Sequence, residues 1–228
     1  HLLEASERGP FNRLVQQFFH VPWRGLNFWD CVQPAFMFMA GVAMAYSLKV
    51  QAAKGLDWTA SCKKTLQRCG WLFFWGVLLY AVHPDGLRFE LWNVLTQLSF
   101  TTLVAFLIYR FSITTQVIVS VCLLLLTEIL YRFMHIPGFD QPFTNLHNFG
   151  NYMDLVLMNK INDDGWVAIN CIPTAVHTIA GTIAGKIFLT RAKPIPYLLI
   201  SGLICLAIGY GLDWLNITPV IKRIATSS

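Results

Sequence analysis

Charge is scarce in this chain. Lys, Arg, Asp and Glu make up 13% of its 228 residues, about half of the roughly 25% usual in soluble domains. With 55% hydrophobic residues, that poverty excludes a soluble-domain reading and points to a polytopic membrane protein. The six histidines are scattered, and none stands at ligand spacing from a carboxylate, so a metal centre is not expected. The six cysteines (Cys31, Cys62, Cys69, Cys122, Cys171 and Cys205) include no C-x-x-C pair. Neither a zinc site nor a disulfide framework is indicated, and they read as small buried hydrophobes. There is no internal repeat and no low-complexity run. Neither an initial methionine nor a signal peptide is seen at His1, and both ends read as cut, so the chain is expected to be the middle of a longer protein. The net charge of +5 calls for no nucleic-acid partner.

What the chain has is long apolar runs. A bilayer core of about 30 Å takes about 20 apolar residues, and only helices and closed barrels satisfy their backbone in lipid. These runs are too long and too unbroken for barrel strands. Helical spans are expected over 26–48, 61–82, 91–109, 115–133, 167–189 and 195–214. The fold class is therefore an all-α membrane bundle of about six spans in a single domain, 1–228. Residues 1–25 are expected to form an outer segment with an interfacial helix, and the 134–166 loop is long enough to fold over the outer mouth. The 49–68 loop holds Lys49, Lys54, Lys63, Lys64 and Arg68 against one acid, Asp57. By the excess of basic residues in short cytoplasmic loops, that side is placed in the cytoplasm. His20 and the 134–166 loop then lie outside.

The most informative stretch is 20–41, HVPWRGLNFWDCVQPAFMFMAG. A carboxylate at membrane depth costs roughly 2.5–3.5 kcal/mol on insertion scales, so Asp30 is expected to face protein or a wet cavity. Asn27, Asp30, Pro34, Gly41 and Ala45 share one stripe at helical spacing, and Pro34 is expected to bend the helix beside Asp30. Asp30 either hydrogen-bonds neighbouring helix ends or serves a site. His20 precedes the helix, is open to water, and is suited by its imidazole to general-base work. Asp30 could orient it, although ten residues of separation do not establish contact. A matching stripe runs through Asn170, Pro173, Thr174, His177, Gly181 and Ala184. Asn93, Thr96 and Gln97 share an outer face, and Glu128 and Arg132, four apart, read as an ion pair.

His20, Trp23, Gly25, Leu26, Asp30, Pro34, Phe36, Phe38 and Gly41 spell H-x-x-W-x-G-L-x-x-x-D-x-x-x-P-x-F-x-F-x-x-G. This resembles the motif of the heparan-α-glucosaminide N-acetyltransferase family and its bacterial relatives. Ala184-Gly185-Lys186-Ile187 resembles the end of a helix in that family. Pro219-Val220-Ile221-Lys222 resembles the P-x-x-K that opens a later one. The resemblance implies about eleven spans in the intact family, and acetyl transfer from cytosolic acetyl-coenzyme A across the membrane to the amine of a terminal glucosamine. It also implies that His20 is the active-site histidine. The chain departs from the pattern at Leu95-Thr96-Gln97-Leu98, where relatives carry L-Q-R. It also lacks a matching asparagine upstream of His20, so reaction class is better supported than substrate.

The expectation is a membrane acyltransferase with His20 as acyl acceptor or general base and Asp30 beside it as the catalytic residues. Asn93, Gln97, His177 and Lys186 are assigned to the acetyl-CoA donor, and Trp23, Asn27, Asn151 and Asp154 to the acceptor. No metal is expected. The expected partners are a sugar or glycan acceptor and the lipid bilayer, with a homodimer among the assemblies considered. The expected location is a bacterial inner membrane with His20 periplasmic, or a lysosomal membrane with His20 lumenal. The alternative is a transporter in which Asp30 and His177 bind a coupling ion or substrate.

Overall fold

A computed structural model describes residues 12–83 and 86–226. In chain order the helices are α1 (Asn12–Gln16), α2 (Val32–Ala53), α3 (Trp58–Ala81), α4 (Val94–Ile108), α5 (Ile113–Phe133), α6 (Phe149–Met158), α7 (Cys171–Thr190) and α8 (Pro194–Trp214). Short 3-10 turns, Phe28–Cys31 and Ala168–Asn170, lead into α2 and α7. The strands are two residues each: β1 (Val82–His83) pairs antiparallel with β2 (Gly86–Leu87), Val82 opposite Leu87. Polar side chains mark the helix starts. Asp57 accepts from Ala60 N–H at α3, Asn93 from Leu95 and Thr96 at α4, Ser112 from Thr115 at α5, and Asn148 from Asn151 at α6. Each satisfies N–H groups that the first turn leaves unpaired.

Among the described residues four helical stretches are long and apolar enough to cross a membrane: Phe28–Ala53, Ile113–Phe133, Ala168–Thr190 and Pro194–Trp214. The chain is an integral membrane protein of helical architecture. Of the six expected spans, the other two differ in kind. α3 carries Lys63, Lys64 and Arg68 in its first half. α4 has 15 residues, about 22 Å of helix against a core of about 30 Å.

α7 is the centre of the bundle and packs on α2, α4 and α5. Its closest neighbour is α2, because glycines meet where they cross. A Cβ on Gly41 would overlap the carbonyl of Thr178, and one on Gly181 would overlap the carbonyl of Phe38. The backbones themselves touch there, the arrangement that small residues permit in membranes. Below the crossing, Met44, Leu48, Ala105, Phe106 and Ile179 form an apolar core. Trp58 stacks on Phe106 with ring centroids 4.5 Å apart. α8 has no buried residue, and Leu199, Leu203 and Ile204 point outward, as on a surface wetted by lipid.

The structure bears on three expectations. Pro34 follows the change from the 3-10 turn to α2, which begins at Val32. It occupies the first turn, where its missing N–H would have no intrahelical partner. The cysteines are not uniformly buried: Cys31, Cys122 and Cys205 are exposed. The interfacial helix expected over 1–25 lies partly outside the described residues, and within them is the short α1. The Glu128–Arg132 pair is present, Arg132 Nε to Glu128 Oε2 at 2.8 Å. Arg132 also holds the carbonyl of Ile217 and Thr218 Oγ1, tying α5 to the segment after α8.

Candidate functional site

The 3-10 turn before α2 forms a cradle for a carboxylate. Asp30 Oδ2 accepts from the backbone N–H of Asn27 at 3.0 Å and of Val21 at 3.3 Å. Its Oδ1 accepts from His20 Nδ1 at 2.8 Å and from Lys222 Nζ at 2.6 Å. The carboxylate, 1% exposed, thus has four donors for about four lone-pair sites. This answers the burial cost that the sequence raised: the charge is matched by a cation and fully hydrogen-bonded.

Lys222 arrives from 192 residues away along the chain. Gly25 N–H donates to the carbonyl of Val220 at 2.8 Å, and Gly25 bridges Ile221 in a parallel pairing. Gly25 has φ +112, a conformation that suits glycine. Asp213 Oδ1 accepts from Val220 N–H at 3.0 Å and from Arg24 at 3.2 Å, which clamps the two segments at one end. Ile221 and Ile224 anchor the other side in a core with Tyr131 and Val167.

The imidazole of His20 is half-exposed, at 51%. Its Nδ1 lies 2.8 Å from both Asp30 Oδ1 and Lys222 Nζ. Nδ1 donates to Asp30 in one tautomer and accepts from Lys222 in the other. In the first, Nε2 keeps a free lone pair. His20 lines a cavity of about 570 Å³. The aromatic walls of that cavity are Trp29, Phe36, Tyr80, Trp92 and Trp166, and its polar groups include Glu90, Asn162 and Asp164. Lys160 pairs with Glu90 at 2.8 Å and lies over the Trp92 ring. A second cavity of about 210 Å³ lies between α2, α7 and residues 220–226. Asp30, Gln33 and Lys222 line both cavities, so these three side chains form the partition.

The remaining candidate residues are dispersed. Asn93 lies on the large cavity, but its side chain is committed: it caps α4 and donates to the carbonyls of Gly76 and Glu90. Gln97 is buried and accepts from Gln33. His177 lines the smaller cavity, with Nδ1 bound to the carbonyl of Thr174. Lys186 lies at the opposite end, where it holds the carbonyls of Tyr109 and Phe111 at the end of α4, a favourable place for a cation. It shares a cavity of about 580 Å³ with Lys49 and Arg110.

The structure corrects the acceptor assignments. Trp23 donates from its indole to the carbonyl of Phe143 at 2.8 Å and packs in the Tyr131 core. Asn27 donates to the carbonyls of Gln16 and Phe19. Asn151 and Asp154 are wholly buried. None of the four lines the large cavity. The lining residues that sequence reasoning missed are chiefly Lys222, Gln33, Trp166 and Asp164. Only Lys222 carried a signal, as the last residue of the P-x-x-K motif.

Asp154 Oδ1 accepts from Ala168 N–H at 2.8 Å, while its Oδ2 is buried without a hydrogen-bond partner. Burial pushes its carboxyl up to about 7, against the opposing influence of Ala168 N–H and the Trp92 indole nearby. The unfolded value is lower, so the folded form binds more protons between the two. Its contribution to stability is complete at low pH and is lost as pH rises toward 7. A rise of this size is worth up to about 4 kcal/mol. The unfolding midpoint is expected to fall between pH 5 and pH 8, and Asp154→Asn is expected to flatten that fall. Thermal unfolding in detergent at the two pH values checks both.

No protein-family model and no curated protein matches the chain. Fold and site together define a helical membrane protein with a buried Asp–Lys pair that orients a water-accessible histidine.

Proposed function

We propose that the chain is a membrane acyltransferase that moves an acetyl group from acetyl-CoA to the amine of a glucosamine-like sugar. The observation that carries this reading is the His20–Asp30 hydrogen bond at the mouth of the large cavity. With the hydrogen on Nδ1, that bond leaves Nε2 basic, as nucleophile–base–acid arrangements require. Aromatic walls interspersed with carboxylates and amides suit a sugar, whose C–H faces pack on rings while its polar groups seek hydrogen bonds.

The orientation proposed places the Lys49 end in the cytoplasm and the His20 end outside, as in a bacterial inner membrane, with α3 and α4 completing six spans. Lys49, Arg110 and Lys186 around the opposite cavity then suit the phosphates of the donor. About 25 Å of α2 separates the two ends, at 1.5 Å per residue. In the reaction the acceptor nitrogen bonds to the thioester carbonyl carbon and the C–S bond breaks. The proton lost by nitrogen passes to Nε2 and then to the departing thiolate. If His20 itself takes the acyl group, the same lone pair attacks and a second transfer follows. Both routes need Nε2 unprotonated.

The transporter reading is less favoured. A coupling ion needs open carboxylate valence, and Asp30 has four donors already. The test uses the full chain in sealed proteoliposomes, with radiolabelled acetyl-CoA on one side and glucosamine on the other. Labelled N-acetylglucosamine on the glucosamine side is expected. Sugar movement with no acetylated product would instead establish transport.

A further inference from the structure

The geometry points to Lys222 as a third catalytic group, the cation that stabilises the oxyanion formed when the thioester carbonyl is attacked. This rests on the acyltransferase reading above. An acyl transfer builds negative charge on the carbonyl oxygen, and preorganised donors aimed at that oxygen are commonly the largest single contribution to rate. Of the residues assigned to the donor, Asn93, Gln97 and His177 are not available for this role. The Asn93 side chain is committed to a helix cap and two carbonyls, Gln97 is buried behind Gln33, and His177 opens on the other cavity.

Lys222 has the requisite position. Its Nζ is 2.8 Å from the reacting imidazole at Nδ1, and it lines the cavity that His20 lines. An ammonium has three N–H donors and no acceptor. Asp30 Oδ1 takes one. A second faces the ring of Trp166, 4.7 Å from the centroid. In the tautomer that leaves Nε2 basic, Nδ1 donates to Asp30 and takes no hydrogen from Nζ, so a third N–H is open to a ligand. The side chain is only 13% exposed, where charge is screened far less than in water. The carbonyl carbon can therefore approach Nε2 while its oxygen turns toward Nζ. When the tetrahedral intermediate collapses, the oxygen re-forms its double bond, the C–S bond breaks, and Lys222 keeps its proton throughout.

The competing account makes Lys222 only the counter-ion of Asp30. Two measurements on the full-length protein separate them. Lys222→Met is expected to lose about 10²–10³-fold in kcat with the acceptor KM unchanged, and Lys222→Arg, which keeps the cation, to recover most of it. The second uses a coenzyme A ketone in which a methylene replaces the sulfur and the carbonyl carbon is ¹³C. Its bound resonance is expected downfield in the wild type and in Lys222→Arg, and at the free position in Lys222→Met. A Lys222→Met enzyme within threefold of wild-type kcat, or a carbonyl resonance equal in the two proteins, overturns the role of Lys222 while leaving the acyltransferase standing. A folded wild type that transfers no acetyl group overturns both.

Discussion

His20→Ala is expected to lower kcat/KM for acetyl transfer by about 10³–10⁴-fold, the upper part of the range for loss of a positioned proton acceptor. Stability should barely respond. The imidazole is half-exposed, and surface substitutions usually change stability by no more than about 0.5 kcal/mol. Asp30 keeps Lys222 and two backbone N–H groups after the change, so the turn before α2 should hold. The checks are steady-state kinetics alongside a thermal melt in the same detergent. Near-normal transfer by a folded His20→Ala protein would remove the histidine from the mechanism.

Asp30→Ala should act on both fold and activity. It strips the partner from Lys222, which is 13% exposed, and leaves the N–H groups of Val21 and Asn27 without their acceptor. Breaking a buried pair by removing one member costs about 3–5 kcal/mol, because the remaining charge is left uncompensated. Asp30→Asn keeps the shape and one acceptor oxygen, so it should be the milder change in stability. Its activity should still fall about 10³–10⁴-fold, since an amide no longer enforces the Nδ1–H tautomer. The decisive comparison is a chemical-denaturation midpoint for both variants beside their kcat values. Equal stability of wild type and Asp30→Ala would mean that the contacts of this carboxylate contribute nothing to the fold.

His20 and Asp30 are legible in the sequence, and the reason is local. A carboxylate near the start of a membrane-length apolar run must find partners, and His20 is close enough in the chain to reach back over one turn. The apolar runs were equally legible, because backbone hydrogen bonds in lipid must close within the segment. α5 and α8 follow their expected limits within about two residues, within ordinary boundary scatter. α2 starts later than expected because Asn27 and Asp30 close a 3-10 turn of their own, a capping detail that hydropathy does not register.

The acceptor candidates lie away from the large cavity for a different reason. Asn151 and Asp154 are polar residues of α6, within a connection long enough to cover a site, and residue type alone cannot distinguish a cavity wall from that connection's own interior. Trp23 stands three residues from His20, yet its indole turns to Phe143, 120 residues on.

Composition and run length alone determined that the chain forms apolar helices, and the spacing around residue 20 marked where a polar site would begin. Those properties depend on interactions within a few turns of one segment. Tertiary structure alone decided that Lys222 completes the site and that aromatic residues from α2, α3 and the 134–166 loop surround it. That convergence rests on the glycine contact between α2 and α7, and on the Arg24–Asp213 clamp beside the Gly25–Ile221 pairing. Such contacts join residues far apart in the chain, and their partners are selected by shape and charge only once the helices have packed.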